Sequence, residues 1–361
     1  MRITDIAVSA YAKEFDTPIS NGKYTYTATE LVFVQIHTDE GIVGVGFTHG
    51  GKIVYETAVA LKPYLIGEDP RNTERLWAKV YLPKVFGRKG METRAISAMD
   101  IALWDIIGKA TGMPLYKLVG GYRDAVPFYV AGGYYYANDG VARLTAEMQE
   151  HMGLQAAGVK MKIGRVSVAE DIKRIETVKK VVGNGLQVLV DANNAYGRNE
   201  ALQMGRALDR LGVYWFEEPL SPDDVEGSAE LARLLDTPIA SGENEYTRWG
   251  FRDIITAHSA DIINADAQVL GGITEWRKVA ALAGAFHTPV APHGDQEIHV
   301  PLVAGTDNGL IVEYYHDDTN VLRSTMIHGD IQRKDGLIYP SQKPGLGVEI
   351  DFKAGEMFRV A

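Results

Sequence analysis

The sequence contains no cysteine among its 361 residues. This absence excludes a disulfide framework, a thiolate nucleophile and a metal site with thiolate ligands. Basic residues are fewer than acidic ones, with 37 Lys and Arg against 47 Asp and Glu, so the net charge is -10 at pH 7. This acidic balance argues against nucleic acid or an anionic membrane as a general partner.

Long apolar runs are also missing. No uninterrupted apolar stretch reaches the roughly 18 residues of a membrane-spanning helix, and the first residues lack the apolar core of a signal peptide. We therefore expect a cytoplasmic protein. The hydrophobic content is 46%, which is enough to bury the core of one large domain plus a smaller one.

The first part of the chain has a mixed pattern. Alternating apolar and polar residues predict antiparallel strands at residues 3–12, 30–38 and 42–47. Residues 16–26 are polar and rich in turn-forming residues, which predicts a loop. Residues 94–110 repeat apolar side chains at three- and four-residue spacing, which predicts a helix that ends at Gly112. We therefore expect residues 1–125 to form a small α+β domain.

From residue 126 onward, short apolar segments alternate with helix-sized ones. The predicted strands are residues 126–130, 158–163, 186–191, 213–217, 238–242, 262–266, 289–293 and 310–313. Short strands at intervals of about 25 residues, most of them followed by a helix, predict a (β/α)₈-type, TIM-like barrel. We expect the barrel to occupy residues 126–324, and residues 325–361 to return to the first domain, which would cap the barrel.

Three acids follow three consecutive predicted strands. Asp191, Glu217 and Glu243 are separated by 26 residues in both steps (217 − 191 and 243 − 217). Barrel strands end at one common face, so the three carboxylates are expected to converge there. Carboxylates that lie close together cannot all ionise without a counter-cation, and a set of oxygen ligands favours Mg²⁺. The alternative is that these acids are solvated loop residues or helix caps.

Other predicted strands also end in ionisable groups. Lys160 and Lys162 alternate with apolar residues, so both are expected to point into the barrel. Because a second lysine and a metal ion both disfavour a positive charge, we expect Lys162 to have a depressed pKa and to act as a general base. Asp266 is placed to fix the tautomer of His293. Glu313 is expected to stabilise an enolate oxygen as a protonated or hydrogen-bonding group.

These roles have structural alternatives. The lysines could pair with acids or extend out of the barrel, His293 could be a core histidine, and Glu313 could be a structural acid. A metal-stabilised binding barrel without catalysis would also fit the three acids, although it gives the lysine pair and the His–Asp pair no evident purpose.

Taken in order, these motifs resemble the mandelate racemase subgroup of the enolase superfamily. The resemblance spans nearly the whole chain, and it rests on Ala102-Leu103-Trp104-Asp105, Gly112-Met113-Pro114-Leu115, Lys160-Met161-Lys162, Asp191-Ala192-Asn193, Phe216-Glu217-Glu218-Pro219, Gly242-Glu243-Asn244, Asp266 with Gly271-Gly272, Ala291-Pro292-His293 and Val312-Glu313. It implies a modified (β/α)₇β barrel with a capping domain, and Mg²⁺ bound by the three acids. A substrate carboxylate would chelate this ion, Lys162 or the His293–Asp266 pair would remove the α-proton, and the metal with Lys160 and Glu313 would stabilise the enediolate.

Three features favour dehydration over the other reactions of this superfamily. The site keeps a His–Asp pair, and no lysine occurs at residues 262–272. The capping loop is polar, and Tyr134 follows the first barrel strand, which suits a substrate with several hydroxyl groups. The residues expected to contact this substrate are Asn21, Lys23, Tyr24, His49, Tyr134 and Asn193.

We therefore predict an Mg²⁺-dependent acid-sugar dehydratase. It would act on a small polyhydroxy carboxylate and give a 2-keto-3-deoxy acid, with His293 as the acid for the leaving hydroxyl. The alternatives on the same scaffold are a racemase or epimerase of a 2-hydroxy acid and a sugar-acid lactone cycloisomerase. Residues 294–297 are more acidic than in many relatives. The resemblance also implies a homo-oligomer.

Overall fold

A computed structural model describes residues 1–137, 140–317 and 319–361. The N-terminal part combines a three-stranded antiparallel sheet with a layer of helices. Its strands pair in chain order and are β1 (Ile3–Ser20), β2 (Thr25–Thr38) and β3 (Val43–Thr48). Its helices are α1 (Gly51–Leu65), α2 (Thr73–Val80), α3 (Pro83–Phe86), α4 (Met91–Thr111) and α5 (Leu115–Leu118). Helix α4 packs on the sheet through a nearly continuous buried face.

The loop predicted at residues 16–26 is wrong for most of its length. Strand β1 continues to Ser20 and β2 begins at Thr25, so the two strands form one long hairpin. The Asn21 side chain makes the turn, since its Oδ1 accepts hydrogen bonds from the backbone N–H groups of Lys23 at 2.9 Å and Tyr24 at 2.7 Å. The polar composition reflects a solvent-exposed hairpin rather than the absence of strands.

The larger part of the chain alternates parallel strands with helices. Its elements are β4 (Val126–Gly132), α6 (Val141–Met152), β5 (Gly158–Lys162), α7 (Val168–Val182), β6 (Gln187–Asp191), α8 (Arg198–Leu211), β7 (Phe216–Glu217), α9 (Val225–Leu234), β8 (Ile239–Ser241), α10 (Thr247–Thr256), β9 (Ile262–Ile263), α11 (Gly272–Ala285), α12 (Gln296–Ala304) and β10 (Val312–Tyr315). Strands β4 to β9 pair in sequence order, and β10 pairs with β4.

The strand predicted at residues 289–293 contributes only a single pairing residue. Val290 forms parallel bridges to Ile263 on one side and to Gly309 on the other. Prolines at positions 289 and 292 lack the N–H groups that a longer ladder would need. Val290 nevertheless joins β9 to the segment before β10, which closes the ring. The predicted (β/α)₇β barrel with an α+β capping domain is confirmed.

The last part of the chain contacts both of the other parts. One of its strands, β13 (Leu337–Tyr339), pairs antiparallel with β4, and the final residues pair with β1, where the Ala10 N–H donates to the carbonyl of Ala361 at 2.9 Å. The elements here are α13 (Val321–Met326), β11 (Ile327–Gly329), β12 (Gln332–Lys334), β13 (Leu337–Tyr339), β14 (Val348–Ile350), α14 (Phe352–Gly355) and a 3₁₀ turn (Glu356–Phe358). The division of the chain at residues 125 and 324 stays a prediction. Among the described residues, no helix combines the length and the apolar character needed to cross a membrane.

Helix α4 docks on the barrel through polar contacts that are fully buried. Asp100 accepts hydrogen bonds from the backbone N–H of Thr274 at 2.8 Å and from its hydroxyl at 2.6 Å. Gly272 has a φ of 86°, and a Cβ at this position would lie 2.4 Å from the Asp100 carboxylate. Glycine is therefore required here by both backbone conformation and space. These contacts fix the capping domain over the open end of the barrel.

Burial raises the pKa of Asp100 from its usual 3.8 to about 7. The folded protein therefore keeps this proton when the unfolded chain has already released it, so the contribution to stability is present below pH 4 and is lost as the pH rises through 7. We expect Asp100→Asn to become more stable relative to wild type, by a few kcal/mol, between pH 4 and pH 8 in urea unfolding. Asp236→Asn on the surface is the control. If the free energies of unfolding of wild type and Asp100→Asn differed by the same amount at every pH, the prediction would be contradicted.

Candidate active site

Three carboxylates meet at the ends of neighbouring barrel strands. Asp191 and Glu217 are the last residues of β6 and β7, and Glu243 follows β8. One oxygen of each lies within 4.8 Å of the others. The first two are fully buried, whereas Glu243 is 14% exposed and its Oε2 has no hydrogen-bond partner. This oxygen-only set fits a hard divalent cation.

The electrostatics of these acids favour a cation as well. Burial, together with the charges of Asp191 and Glu243, raises the pKa of Glu217 to about 8 even though Lys160 opposes the shift. Lys160 is shared with other acids, so it cannot neutralise the whole group. Asn193 bridges two of the carboxylates: its backbone N–H donates to Asp191 at 2.8 Å, and its side-chain Nδ2 donates to Glu243 at 3.4 Å. Asn193 thus supports two of the three carboxylates and lies outside the cavity lining, and its contact with substrate stays a prediction.

Lys160 and Lys162 both point into the barrel, as their spacing predicts. The Nζ of Lys160 lies 2.9 Å from Glu217 and 2.6 Å from Glu313. The Nζ of Lys162 donates to Asp191 at 2.5 Å. Burial lowers the pKa of Lys162, but Asp191 outweighs this effect and raises it above the usual range. Without a metal ion, Lys162 therefore forms the ion pair with an acid that the sequence left open, and the depressed pKa expected beside a metal ion stays a prediction.

His293 and Asp266 form the expected pair. The Nδ1 of His293 lies 3.0 Å from Asp266, and its Nε2 lies 3.2 Å from the Tyr315 hydroxyl. Burial disfavours the imidazolium, but Glu243 and Asp266 outweigh this effect and raise the pKa of His293 to about 10. His293 also lies 3.7 Å from Glu243. Since Lys162 adjoins Asp191, the three carboxylates lie between the lysine and the histidine.

Glu313 lies on β10 at the inner end of the site. It pairs with Lys160 and accepts hydrogen bonds from the backbone N–H of Gly294 at 3.1 Å and from the Tyr315 hydroxyl at 3.2 Å. Burial alone would raise the pKa of Glu313, but Lys160 and His293 lower it to about 2. The suggested protonated form of Glu313 is therefore wrong, and the carboxylate acts as a hydrogen-bond acceptor that holds Lys160 and Tyr315 in place.

The capping domain covers this site and leaves a cavity of about 390 Å³, a size within the usual range for small-molecule sites. Of the residues expected to contact substrate, His49 and Tyr134 line the cavity. Lys23 and Tyr24 are exposed and lie outside its lining. Asn21 acts indirectly, because its Nδ2 donates to the hydroxyl of Tyr26 at 3.0 Å.

Several lining residues were not found from the sequence. They come from both domains and are Tyr26, Arg94, Asp295 and Tyr315. Asp295 accepts from His49 at 3.2 Å and from the Nε2 of Gln268 at 3.0 Å. The acidic character of residues 294–297 was the only sequence signal for any of these positions. Arg94 lies at a helix start and Tyr26 in a surface hairpin. The sequence pattern of either element is the same whether or not a cavity adjoins it, so neither residue could be identified.

Comparisons with known proteins agree with this geometry. Residues 3–120 match the family model of the mandelate racemase / muconate lactonizing enzyme N-terminal domain, and residues 140–354 match the enolase C-terminal domain-like model. An arabinonate dehydratase of Saccharolobus solfataricus is 38% identical over 330 residues, which cover 89% of this chain and 88% of that protein.

Two solved structures have nearly the same fold. L-talarate/galactarate dehydratase from Salmonella typhimurium LT2, liganded with Mg and L-lyxarohydroxamate, has a TM-score of 0.93 and 30% identity over 100% of this chain and 93% of that one. A racemase from Streptomyces coelicolor A3(2) with bound magnesium has a TM-score of 0.93 and 31% identity over 99% of this chain and 100% of that one. The resemblance seen in the sequence motifs is confirmed, and this chain belongs to the mandelate racemase subgroup of the enolase superfamily.

Proposed function

We propose that the protein is an Mg²⁺-dependent acid-sugar dehydratase that converts a polyhydroxy acid to a 2-keto-3-deoxy acid. The observation that carries this proposal is the placement of Lys162 and His293 on two sides of the three carboxylates, within one enclosed site. Elimination of water needs one group to take a proton from the α-carbon and another to give a proton to the β-hydroxyl. Similarity to two enzymes named as sugar-acid dehydratases supports the same reading.

Asp191, Glu217 and Glu243 would hold the metal ion. When bound, Mg²⁺ would place positive charge beside the substrate carboxylate and beside Asp191. This charge would lower the pKa of the C–H group at the α-carbon and the pKa of the Lys162 amine. Lys160, held by Glu217 and Glu313, keeps a fixed positive charge beside the site. This charge stabilises the negative charge that develops on the substrate as its proton leaves.

The proton transfers follow from the contacts of the two candidate groups. Lys162 in its neutral form takes the α-proton. His293 is positively charged through its pairing with Asp266, so it gives a proton to the β-hydroxyl, which departs as water. The remaining enol then tautomerises to the 2-keto-3-deoxy acid. Tyr315, hydrogen-bonded to both His293 and Glu313, holds the imidazole in position between these steps.

A racemase or epimerase of a 2-hydroxy acid is the second candidate. The same two groups on either side of the metal site would serve a two-base exchange of the α-proton, and a structural neighbour is named a racemase. A cycloisomerase would use the same α-carbon chemistry. The polar cavity lined by Tyr26, His49 and Tyr134 favours a substrate with several hydroxyl groups, and therefore dehydration. The cytoplasmic location and the homo-oligomeric state stay predictions.

Proton NMR in D₂O distinguishes these reactions. With Mg²⁺ and a panel of aldonates, aldarates and simple 2-hydroxy acids, we expect one or a few sugar acids to lose water and to show the signal of a new deoxy methylene group. Omission of the enzyme and of Mg²⁺ are the controls. Deuterium at the α-carbon without the methylene signal would establish the racemase instead, and metal binding without any exchange across the panel would argue for a binding protein.

A further inference from the structure

Arg94 is a cation in the cavity that has no partner among the residues the structure describes. It lies in the first turn of α4 and lines the same cavity as Glu243 and His293. No described residue forms a hydrogen bond or an ion pair with its side chain, and its Nε is buried without a partner. A buried donor on a charged group costs free energy unless a ligand satisfies it. Arg94 is therefore positioned for an anion that the described residues do not supply.

The neighbouring cation, His49, is already paired. Its Nδ1 lies 3.0 Å from the backbone carbonyl of Glu30, which can only accept, and its Nε2 lies 3.2 Å from the Asp295 carboxylate. Both ring nitrogens are therefore used as donors, and Asp295 balances the charge of the imidazolium. The paired ring holds the wall of the cavity in place beside Arg94. This leaves Arg94 as the unbalanced charge of that wall.

The nearby acid Glu30 does not balance Arg94 either. Its carboxylate lies against the backbone of Gly51 at the start of α1, where a Cβ would come within 2.4 Å of it. Glu30 contacts this wall through its backbone carbonyl, which faces the Nδ1 of His49. The guanidinium of Arg94 therefore remains open to the cavity.

We propose that Arg94 binds a second anionic group of the substrate, the distal carboxylate of a sugar diacid, while the first carboxylate lies at the Asp191–Glu217–Glu243 site. This proposal rests on the dehydratase function and names its substrate class. A guanidinium presents paired N–H donors that match the two oxygens of a carboxylate. A terminal hydroxyl would leave the charge of Arg94 uncompensated, so monoacids are expected to be poor substrates.

The test compares sets of three six-carbon sugar acids that share the configuration of their hydroxyl groups and differ only at C6, which carries a carboxylate, a hydroxyl or a phosphate ester. For the wild type, we expect kcat/KM to be at least about 100-fold higher for the diacid than for the hydroxyl compound. Arg94→Met is expected to lower kcat/KM for the diacid by about 100-fold, mainly by raising KM. The same variant is expected to change kcat/KM for the monoacid by less than about threefold.

Two further variants complete the experiment. Arg94→Lys keeps the positive charge and is expected to recover part of the diacid activity. Arg206→Met removes an exposed arginine on α8, outside the cavity lining, and is expected to change neither activity. If Arg94→Met unfolds more easily, Arg94→Lys is used instead. The ratio of kcat/KM for the diacid to kcat/KM for the monoacid in this variant then shows whether the guanidinium selects the diacid.

The outcomes separate this inference from the proposed function. Dehydration of monoacids and diacids at equal rates, or an equal loss on both in Arg94→Met, would overturn the diacid inference and leave the dehydratase intact. A preference for the phosphate ester would also overturn it. Proton exchange without loss of water on every compound would remove the dehydratase itself.

Discussion

Lys162→Ala is expected to lower kcat for dehydration by at least about 1,000-fold, within the range for loss of a general base. The variant removes the side chain that donates to Asp191 and that we propose as the acceptor of the α-proton. Exchange of the α-proton in D₂O is expected to stop together with product formation. The measurements are kcat from the keto product and α-deuteration by NMR, both at saturating Mg²⁺.

His293→Asn is the informative companion to this variant. It is expected to keep α-proton exchange and to lose water elimination, because His293 acts at the β-hydroxyl in the proposed reaction. Lys180→Ala, on the exposed side of α7, is the matched lysine control. Full exchange in Lys162→Ala together with its loss in His293→Asn would reverse the two roles. A drop in Mg²⁺ affinity large enough to explain the activity loss would show that Lys162 acts on Asp191 rather than on substrate.

The barrel and its carboxylates could be predicted because, in a barrel, the number of residues between two positions in the sequence determines where they lie relative to each other. Residues one strand–helix unit apart arrive at adjacent strand ends, so Asp191, Glu217 and Glu243 converge whatever the loops between them do. The two-residue spacing of Lys160 and Lys162 fixes a common face in the same way. In each case, the relevant distance is set by regular secondary structure.

The contacts between domains could not be predicted in this way. His49 meets Asp295 across 246 positions of the chain, and no periodicity relates a loop after β3 to a loop after a barrel strand. The side chain of Asn21 forms a turn, which its polar character alone did not reveal, and its contact with substrate stays a prediction. The outer part of the hairpin was missed because its exposed strands lack an apolar face.

Acids outnumber bases among the groups that meet at the strand ends. Asp191, Glu217, Glu243, Asp266 and Glu313 face Lys160, Lys162 and His293, and the buried Glu218 is one more acid beside them. A divalent cation at the three strand-end carboxylates would offset this excess of negative charge. The raised pKa of Glu217 shows how the protein side chains respond without that cation, by favouring a proton instead.

Glu243→Gln is therefore expected to raise the Kd for Mg²⁺ on the order of 100-fold and to remove measurable dehydration at ordinary Mg²⁺ concentrations. Glu243 suits this test because its Oε2 accepts no hydrogen bond from the described residues and Gln has the same shape, so the fold loses little. Calorimetric titration with Mg²⁺ gives the Kd, and addition of EDTA to the wild type is expected to abolish activity reversibly.

Thermal unfolding provides a readout of the metal site that does not depend on activity. At 100 times its Kd, a ligand that binds only the folded state stabilises it by about 2.7 kcal/mol, so Mg²⁺ is expected to raise the Tm of the wild type by several degrees. Glu243→Gln is expected to lose most of this increase, and Glu176→Gln, an exposed substitution on α7, is expected to keep it. An equal rise in Tm for all three proteins would mean that Mg²⁺ binds elsewhere, and the excess of acids at the strand ends would then need another cation.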